Sequence, residues 1–500
     1  MPEEKIPSLV SRLRAGDITI PEFQREFVWT DLQIEMLADS IYRGYPIGNL
    51  ILFIPSPELG KGQWVVDGQQ RLLSLQLITT GEAKLKRGQK RGTTWFNPKS
   101  EKFHYTESLQ DLRPEWVKVS ELFGILDRLE LEKYLSSQNW TPEEKERIAA
   151  LWGNLREYNI PYYTVDAKQK PETLAEIFVR TNYAGTKVRG TDISYAILAV
   201  ASPGSTEELK NFIEGLPAEW REIDYSVAVK IFLALMTDGK IKLASTIREH
   251  ARKLKDLLET KKAQISDITQ KTKDLISRSI KLLEDGWLAI KTPDPRWIPY
   301  ENSLVTLGFY LARNPAPPKQ EESNLLMWHV LASFFGRYSA SSDTRLNEDL
   351  SVIAQGGKSK DLIKNLGDLE VLKSTIKDNI SNGCYSPLLI YAILRKNEAG
   401  DLLTGNPLSS EDVSIHHIFP SSLVRDNVDD VGNITLTTHG TNSHLRAKKP
   451  EEYLPRVAAQ IRDRHLIPQD PNLWQLSKFK EFVETRKKMI KETIDKFFTL

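Results

Sequence analysis

The chain has 500 residues, of which 40% are hydrophobic and 27% are charged, and its formal net charge is +1. This length predicts two to four domains, and the hydrophobic content is sufficient for each to have a core. A nearly neutral chain has no basic field over its whole surface, so any contact with nucleic acid must be local. The single cysteine, Cys384, excludes disulfides within the chain and a cysteine-type zinc site.

The amino-terminal segment, MPEEKIPSLVSRLRAGD, is charged and amphipathic and contains no apolar signal region. Nowhere does the sequence approach the roughly 18 consecutive apolar residues that a membrane span requires. The single cysteine suits a reducing compartment. Together these features predict a soluble, cytoplasmic protein that has no membrane partner.

The N-terminal part, residues 1–203, alternates helical and strand patterns. The periodicity predicts a helix over residues 5–15 and another that is capped by Thr30 and runs through Tyr42. An apolar run over residues 47–54 is typical of a buried strand. The sequence Thr141-Pro-Glu-Glu has the pattern of a capping box with proline in the first turn, and it predicts a further helix start.

A strand predicted over residues 63–66 runs directly into the polar turn Asp67-Gly68-Gln69-Gln70-Arg71, which opens an apolar helix. Such a turn directs backbone N–H groups and the positive end of a helix dipole at its occupant, and phosphate is the natural occupant. We expect Asp67 to hold Mg²⁺ and Arg71 to clamp phosphate, while Gln69 and Gln70 orient water or a sugar. The chain has no Gly-x-x-x-x-Gly-Lys-Ser/Thr sequence, so a P-loop is excluded. Taken alone, an Asp-Gly turn before a helix is more often structural.

Residues 205–400 have a predominantly helical pattern. The stretch from Arg248 to Leu288 is mixed in charge and apolar at three- and four-residue steps, which predicts a long helix that serves as a rigid connector or a dimer surface. At the carboxyl end, residues 474–498 predict a last helix with one apolar and one basic side. The basic side, which includes Arg486 and Lys487, is interpreted either as a DNA contact or as a solvated helix face.

The stretch Ser414–Leu454 concentrates polar groups of a catalytic type. Two β-rich runs, residues 413–419 and 433–438, flank a polar loop, and Thr441 is predicted to cap a helix that follows. The stretch therefore predicts a hairpin and then a helix, with polar side chains facing one another across it. These side chains are His416, His417, Asn433, Asn442, His444 and Lys448.

This set of residues suits metal-assisted cleavage of a phosphodiester. One imidazole acts as a general base on water, while a divalent ion neutralises the charge that builds on the phosphate and on the leaving oxygen. Mg²⁺ keeps several waters, so two protein ligands suffice. For the histidine pair alone, the alternative that its members simply alternate between the faces of a strand stays open.

The order His-His, then Gly-Asn, then Asn-x-His resembles the HNH, or ββα-metal, nuclease motif. The resemblance implies that His417 is the general base. It also implies that Asn433 braces the loop between the strands and that Lys448 contacts a phosphate oxygen.

The same resemblance implies a metal site at which His416 and Asn442 hold the ion, with His444 as an alternate or helper ligand. HNH enzymes commonly place an Asp at the position of His416. Because imidazole is a softer ligand than carboxylate, Mn²⁺ or Ni²⁺ are alternatives to Mg²⁺.

Three N-terminal segments together resemble the N-terminal domain of GmrSD-type restriction enzymes, a domain that is similar in fold to ParB and sulfiredoxin. They are the segment Pro21-x-Phe-Gln-Arg-x-Phe-Val-Trp, the Asp67–Arg71 turn, and Ile177-Phe-Val-Arg-Thr-Asn182 with Gly185-Thr186. The resemblance covers roughly residues 5–200. SspE-type nucleases share the layout of such a domain followed by an HNH unit.

This second resemblance implies an NTP-hydrolysing sensor module coupled to a nuclease, in defence against phage or foreign DNA. The implied nucleotide site consists of Gln24, Arg25, Asp67, Gly68, Gln69, Gln70 and Arg71, with Asn182 and Thr186 as weaker candidates. Whether the nucleotide is GTP, ATP or UTP stays open. Phe23 stands where the family often carries Tyr, which removes a hydroxyl group from this region.

The sequence as a whole predicts an α+β, multidomain protein. Residues 1–203 are expected to form a ParB/sulfiredoxin-like sensor domain, residues 204–400 a helical connector, and residues 401–500 an HNH (ββα-metal) domain. The predicted function is that of an NTP-regulated DNA endonuclease or nickase, which requires Mg²⁺ or Mn²⁺ and acts on double-stranded phage or modified DNA. Since one HNH site cuts one strand, a homodimer is one option. Two other functions stay open: a DNA-binding regulator with vestigial sites, and a nucleotide-consuming toxin whose HNH unit is secondary.

Overall fold

The computed structural model of the chain contains both α-helices and β-strands, which confirms the mixed character that the sequence predicts. It describes residues 2–20, 27–55, 62–85, 88–107, 115–166, 194, 197–198, 202–243, 247–340, 342–424 and 426–498. The chain divides into two compact units, of which the first is Met1–Pro203 with Ala244–Asp256 and the second is Gly204–Leu243 with Leu257–Leu500. Within the described part of the chain, no helix has both the length and the apolar character that crossing a membrane requires.

Among the described residues, the strands of the first unit form a mixed five-stranded sheet, an antiparallel three-stranded sheet and a separate hairpin. These strands are β1 (Glu3–Lys5), β2 (Ile18–Thr19), β3 (Leu50–Ile54), β4 (Gln63–Asp67), β5 (Glu82–Leu85), β6 (Gly88–Arg91), β7 (Thr93–Asn97), β8 (Lys102–Thr106), β9 (Val117–Lys118) and β10 (Asn159–Asp166). The larger sheet has the order β1-β10-β3-β4-β2, with β10 parallel to β3 and β2 parallel to β4. Strands β8, β7 and β9 form the smaller sheet, and β5 pairs with β6.

The helices of the first unit pack against these sheets through leucine and isoleucine side chains. Among the described residues up to Asp166, these helices are α1 (Ile6–Ala15), α2 (Asp31–Tyr42), α3 (Gln69–Thr80), α4 (Val119–Gly124), α5 (Arg128–Ser136) and α6 (Pro142–Glu157). Both capping residues predicted in the first unit are confirmed. Thr30 forms a reciprocal capping box with Gln33 at the start of α2, and Thr141 forms one with Glu144 at the start of α6.

After Pro203 the chain is helical until the carboxyl-terminal hairpin. The helices of this stretch are α7 (Pro203–Glu214), α8 (Ser226–Thr237), α9 (Ile247–Thr260), α10 (Ile265–Asp285), α11 (Asn302–Arg313), α12 (Lys319–Phe334), α13 (Ser342–Ala354), α14 (Ser359–Leu366), α15 (Leu369–Ser381) and α16 (Pro387–Lys396). The predicted single helix over residues 248–288 is wrong, because a 3₁₀ turn at Lys262–Gln264 separates α9 from α10. This turn buries no side chain, so no tertiary packing sustains an α-helix across it.

The carboxyl-terminal part is built around a two-stranded hairpin. Its elements are β11 (Val413–His417), β12 (Ile434–Thr438), α17 (His439–Leu445), α18 (Pro450–Tyr453), α19 (Ala459–Arg464) and α20 (Phe479–Phe497). Phe419, Tyr453, Trp474 and Phe482 meet in one buried cluster, with ring centroids of Phe419 and Phe482 5.0 Å apart. This cluster joins the end of β11 to the last helix and so fixes the base of the hairpin.

The last helix differs from the prediction in its basic side. Arg486 and Lys487 are only 1% and 5% exposed, so they are neither DNA contacts nor members of a solvated face. Nη1 of Arg486 donates hydrogen bonds to the carbonyls of Val431, Gly432 and Ile434, and the shortest of these, to Ile434, is 2.7 Å. Because Arg486 satisfies the backbone carbonyls at the start of β12, it stabilises the hairpin.

Candidate functional site

The two adjacent histidines lie on β11 and project from opposite sides of the hairpin. His416 is paired in register with Thr435 and His417 with Ile434. Because side chains alternate along a strand, one imidazole is buried, at 2% exposure, and the other keeps 29% of its side chain exposed. The His416 ring is therefore enclosed by protein, whereas the His417 ring can be reached by solvent. We refer to β11, β12 and α17 with the loop between the strands as the hairpin–helix site.

Asn433 is fully buried at the end of the loop that joins the two strands. Its Oδ1 accepts a hydrogen bond of 2.7 Å from the backbone N–H of Phe419. Its Nδ2 donates to the carbonyls of Phe419 and Val428 at 3.0 and 2.9 Å. One side chain thus satisfies three backbone groups across the loop, and the loop depends on it for closure. These contacts are consistent with the bracing role that the HNH resemblance implies.

His416 contacts Asn442, which α17 brings back to the strand. Its Nδ1 lies 2.9 Å from Oδ1 of Asn442, and Nδ2 of the same amide donates to the carbonyl of Ile415. Nε2 of His416 lies 3.2 Å from the hydroxyl of Tyr453. Burial lowers the pKa of His416 to about 4, so the ring is neutral at physiological pH and can act as a metal ligand.

The spacing of the His416–Asn442 pair fits a small divalent ion. Two adjacent ligands of an octahedral Mg²⁺, each at about 2.0–2.1 Å, lie roughly 3 Å apart. Nδ1 and Oδ1 have this separation, at 2.9 Å, with a proton between them in place of an ion. Among the described residues no group of three or more His, Cys, Asp or Glu side chains is arranged to hold a metal. Since Mg²⁺ keeps several waters when it binds a protein, two protein ligands are enough for such an ion.

His417 faces Asp429, a residue of the loop between the strands. Nε2 of His417 lies 2.8 Å from Oδ1 of Asp429. Burial, followed by the negative charge of Asp429, raises the pKa of Tyr385, which shows that this phenol also lies near the carboxylate. The sequence analysis did not identify Asp429 or Tyr385. The acidic pair Asp429-Asp430, twelve residues after the histidine, was the available signal.

His444 and Lys448 pair with each other, with Nζ of Lys448 2.8 Å from Nε2 of His444. The predicted helix start is wrong. Thr438, not Thr441, is the N-cap of α17, and its side chain accepts a hydrogen bond from the backbone N–H of Thr441. Because α17 ends at Leu445, Lys448 lies beyond the helix, where its backbone N–H donates to the carbonyl of Leu445.

Asp401 is a buried carboxylate that ties β12 to α17, and the sequence analysis missed it. It is 0% exposed. Burial alone would raise its pKa, but hydrogen bonds hold the pKa well below the usual value. Its hydrogen-bond donors are the N–H groups of Leu403, Thr404 and Thr438 and the hydroxyls of Thr404, Thr437, Thr438 and Thr441. Asp401 thereby fixes the first turn of α17, one residue before Asn442.

The predicted phosphate-binding turn lies between β4 and α3. Gly68 has a φ of +92°, and a Cβ atom there would come within 2.3 Å of Leu50. The helix that follows begins with no side-chain cap. Nη2 of Arg71 lies 2.9 Å from Asp67, and Nη1 donates to the carbonyl of Ile47 at 3.1 Å. The turn therefore places the start of a helix beside an ion pair.

Gln70 joins this turn to the segment before α2. Its Oε1 accepts hydrogen bonds from the backbone N–H groups of Val28 and Trp29, at 2.9 and 3.3 Å. Gln69 and Gln70 are both buried. The predicted site residues Gln24 and Arg25 lie outside the described residues, as do Asn182 and Thr186. Gln70 nevertheless brings the end of the Phe-Val-Trp segment to the Asp67–Arg71 turn, so these two motifs are neighbours.

Residues 6–199 match the family model described as the GmrSD restriction endonuclease, N-terminal domain. Over these residues the chain is similar to a GmrSD-type N-terminal domain. This confirms the resemblance that the N-terminal motifs indicated. The hairpin–helix site lies outside the matched residues, so its assignment depends on its own geometry.

The chain is also similar to a second protein over most of its length. An uncharacterized protein of Methanocaldococcus jannaschii is 22% identical over 516 aligned residues, which cover 90% of this chain and 86% of that protein. The similarity extends well past residue 199, so the region after the GmrSD N-terminal domain is also shared with this relative.

Proposed function

We propose that this chain is a restriction endonuclease of phage defence. It cleaves one strand of double-stranded DNA at the hairpin–helix site with a divalent metal ion, and its GmrSD N-terminal domain regulates cleavage through an NTP. The description of the matched family supports the restriction role. The single observation that supports the site most strongly is the 2.9 Å contact between His416 and Asn442.

The chemistry follows from the environments of the two histidines. A water oxygen attacks phosphorus, the bond from phosphorus to the leaving sugar oxygen breaks, and that oxygen takes a proton from solvent. The proton of the attacking water goes to His417, whose ring is accessible. When bound, a divalent ion would neutralise charge on the phosphate, and His416 and Asn442 are the residues that would hold it. Asn433 keeps the loop closed so that these groups stay in place.

DNA contacts are expected around the end of α17. Arg446, Lys448 and Lys449 follow one another closely there, and Arg446 is exposed. In a chain of net charge +1, such a local group supplies phosphate contacts that the overall charge does not. A single site of this kind cuts one strand, so the expected product is a nick.

Plasmid cleavage tests the nuclease proposal. Wild-type protein with Mg²⁺ or Mn²⁺ should convert supercoiled plasmid, with or without base modification, to the open-circular form. Loss of the general base in His417→Ala should slow this by roughly 100-fold or more. The control is His104→Ala, which removes an exposed imidazole from the first unit. Equal cleavage by wild type and His417→Ala on every substrate would exclude the site.

The nucleotide role is assigned to the Asp67–Arg71 turn. The start of α3, which is the positive end of a helix dipole, and the guanidinium of Arg71 suit phosphate, and Asp67 suits a phosphate-bound Mg²⁺. Asp67→Ala should therefore abolish NTP hydrolysis and remove the effect of NTP on plasmid cleavage. It should leave the cleavage measured without nucleotide unchanged, which separates the two sites. If Asp67→Ala hydrolyses GTP, ATP and UTP like the wild type, the turn is structural.

A further inference from the structure

Asp429 contacts the proposed general base from the loop between β11 and β12. Its Oδ1 lies 2.8 Å from Nε2 of His417. An ionised carboxylate only accepts hydrogen bonds, so the contact places a proton on Nε2. A neutral imidazole carries one N–H proton, and its Nδ1 is then left with a free lone pair.

The loop is anchored on both sides of Asp429. On one side, Nδ2 of the buried Asn433 donates to the carbonyl of Val428 at 2.9 Å. On the other side, Asp430 lies 2.7 Å from the ammonium group of Lys487, and the two side chains are 9% and 6% exposed. Asp429 itself is 77% exposed. Buried contacts thus fix the backbone around a carboxylate that points into solvent and toward one imidazole.

The pair contributes little to folding stability. Ion pairs and hydrogen bonds between such exposed groups stabilise the folded state only weakly, because water competes for both partners and salt screens their charges. The anchors on Val428 and Asp430 nevertheless hold the carboxylate against a single ring nitrogen. The contact therefore determines the orientation and the tautomer of the ring.

We propose that Asp429 is a positioning residue for His417, an inference that rests on the proposed nuclease function. It holds the imidazole with its proton on Nε2, so that Nδ1 is the atom that receives the proton of the attacking water. As the oxygen of that water bonds to phosphorus, the bond to the leaving sugar oxygen breaks. Without the carboxylate, the neutral ring divides between two tautomers and more than one orientation, and only part of the population has Nδ1 free and correctly directed.

The first test compares cleavage rates at saturating plasmid and saturating Mn²⁺. Asp429→Ala should lower the rate on the order of 10- to 100-fold without changing the KM for DNA, because the residue acts through His417. Asp429→Glu should restore most of the rate, since it returns a carboxylate to the same loop. Asp426→Ala removes the same charge from an exposed position three residues earlier and should stay within about twofold of wild type. Adding Asp429→Ala to His417→Ala should cause no further loss.

The second test reads the tautomer directly and needs neither DNA nor metal. The chain has 8 histidines, so ¹⁵N-histidine labelling gives a small set of ring signals, and the His417 signals are identified by their loss in His417→Ala. At a pH where the ring is neutral, the nitrogen chemical shifts should report the Nε2–H form in wild type and in Asp426→Ala. They should report a mixture of tautomers in Asp429→Ala.

The outcomes separate the two proposals. If His417→Ala cleaves like wild type, the nuclease site itself is wrong. If His417→Ala is inactive while Asp429→Ala cleaves normally, only the role of Asp429 is wrong. A wild-type His417 with its proton on Nδ1 would also overturn the inference. So would an Asp429→Ala enzyme that regains its full rate at higher Mn²⁺ concentration, because that result would make Asp429 a metal ligand.

Discussion

The ammonium group of Lys487 lies 2.7 Å from Oδ2 of Asp430, and both side chains are almost completely buried. The contact joins the last helix to the loop between β11 and β12, 57 residues earlier in the chain. Asp430 also accepts a hydrogen bond from the backbone N–H of Gly432 at 2.8 Å, just before Asn433. The carboxyl-terminal helix therefore supports the loop that carries Asp429.

Replacing Lys487 by Met should destabilise the protein by about 3 kcal/mol, because breaking a buried ion pair leaves Asp430 buried without its cation. Met keeps an apolar side chain of similar length, so the loss of unfolding free energy measures the effect of removing the positive charge. Urea unfolding measures the change, and Lys488→Met on the exposed neighbouring position is the control, with an expected effect within about 0.5 kcal/mol. Equal effects at the two positions would mean that the pair does not hold the loop.

Stability should fall as the pH falls from about 6.5 toward 4. Burial lowers the pKa of His329 and of His465 to about 4, whereas a histidine in the unfolded chain has a pKa near 6.5. Between these two pKa values, protons bind the unfolded state more than the folded state. The stability that the neutral buried rings contribute is therefore fully present above about pH 6.5 and falls as the pH decreases toward 4. Each ring contributes up to about 3 kcal/mol over this range.

Denaturant unfolding at several pH values checks this expectation. His329→Gln should flatten the dependence of the unfolding free energy on pH, because it removes one of the three rings whose pKa burial lowers to about 4, the others being His416 and His465. Leu331→Ala, on the same helix and equally buried, should lower the free energy by a similar amount at every pH. The expectation fails if His329→Gln and wild type keep parallel curves.

The metal preference should depend on His416. HNH nucleases commonly carry Asp at this position, and a carboxylate favours Mg²⁺ more than imidazole does. His416→Asp should therefore raise the ratio of Mg²⁺-supported to Mn²⁺-supported plasmid nicking on the order of tenfold. Tyr453→Phe removes the hydroxyl on the other ring nitrogen and is the control, for which the ratio should stay unchanged. An unchanged ratio in His416→Asp would mean that residue 416 is not a ligand.

The position of Arg71 should depend on Gly48. A Cβ atom at Gly48 would lie 2.5 Å from Nη1 of Arg71, so Gly48→Ala must displace the guanidinium from Asp67 and Ile47. NTP binding, measured with a fluorescent analogue, should weaken on the order of tenfold, which corresponds to one charge-assisted hydrogen bond.

Gly44→Ala is the matched control for this change. Gly44 also has a positive φ, of +68°, but nothing lies within 4 Å of the Cβ position. Backbone strain should therefore be similar in the two variants, while NTP affinity changes only in Gly48→Ala. A similar loss of affinity in both variants would show that strain, and not Arg71, is responsible.

Much of the local structure could be predicted because it depends on neighbouring residues. Thr30, Thr141 and the Asp67–Arg71 turn carry their signals within four residues, and the structure has a helix start at each. Thr441 failed as a cap because Thr438 pairs with Val413 at the end of the hairpin, and the helix begins directly after this pair. The end of a strand depends on its partner, which the local sequence does not show.

The supporting residues of the candidate site could not be predicted for the same reason. Asp401 contacts Thr437 and Thr441 across 36 and 40 residues, and a polar loop gives no sign that this carboxylate is buried. Arg486 was assigned to a basic helix face because its neighbours are lysines. Only the packed structure shows that its guanidinium lies beneath the hairpin. The candidate ligands carry a sequence motif, whereas the residues that hold them do not.

The position of a bound Mn²⁺ tests the central claim most directly. A crystal of the protein soaked in Mn²⁺ gives an anomalous-scattering peak wherever the ion binds. The account predicts one peak in the hairpin–helix site, about 2.2 Å from both Nδ1 of His416 and Oδ1 of Asn442. The contradicting result is a peak elsewhere in the crystal, with the His416–Asn442 hydrogen bond intact, from a protein that nicks plasmid at the same Mn²⁺ concentration. The ion that supports cleavage would then not be held by His416 and Asn442.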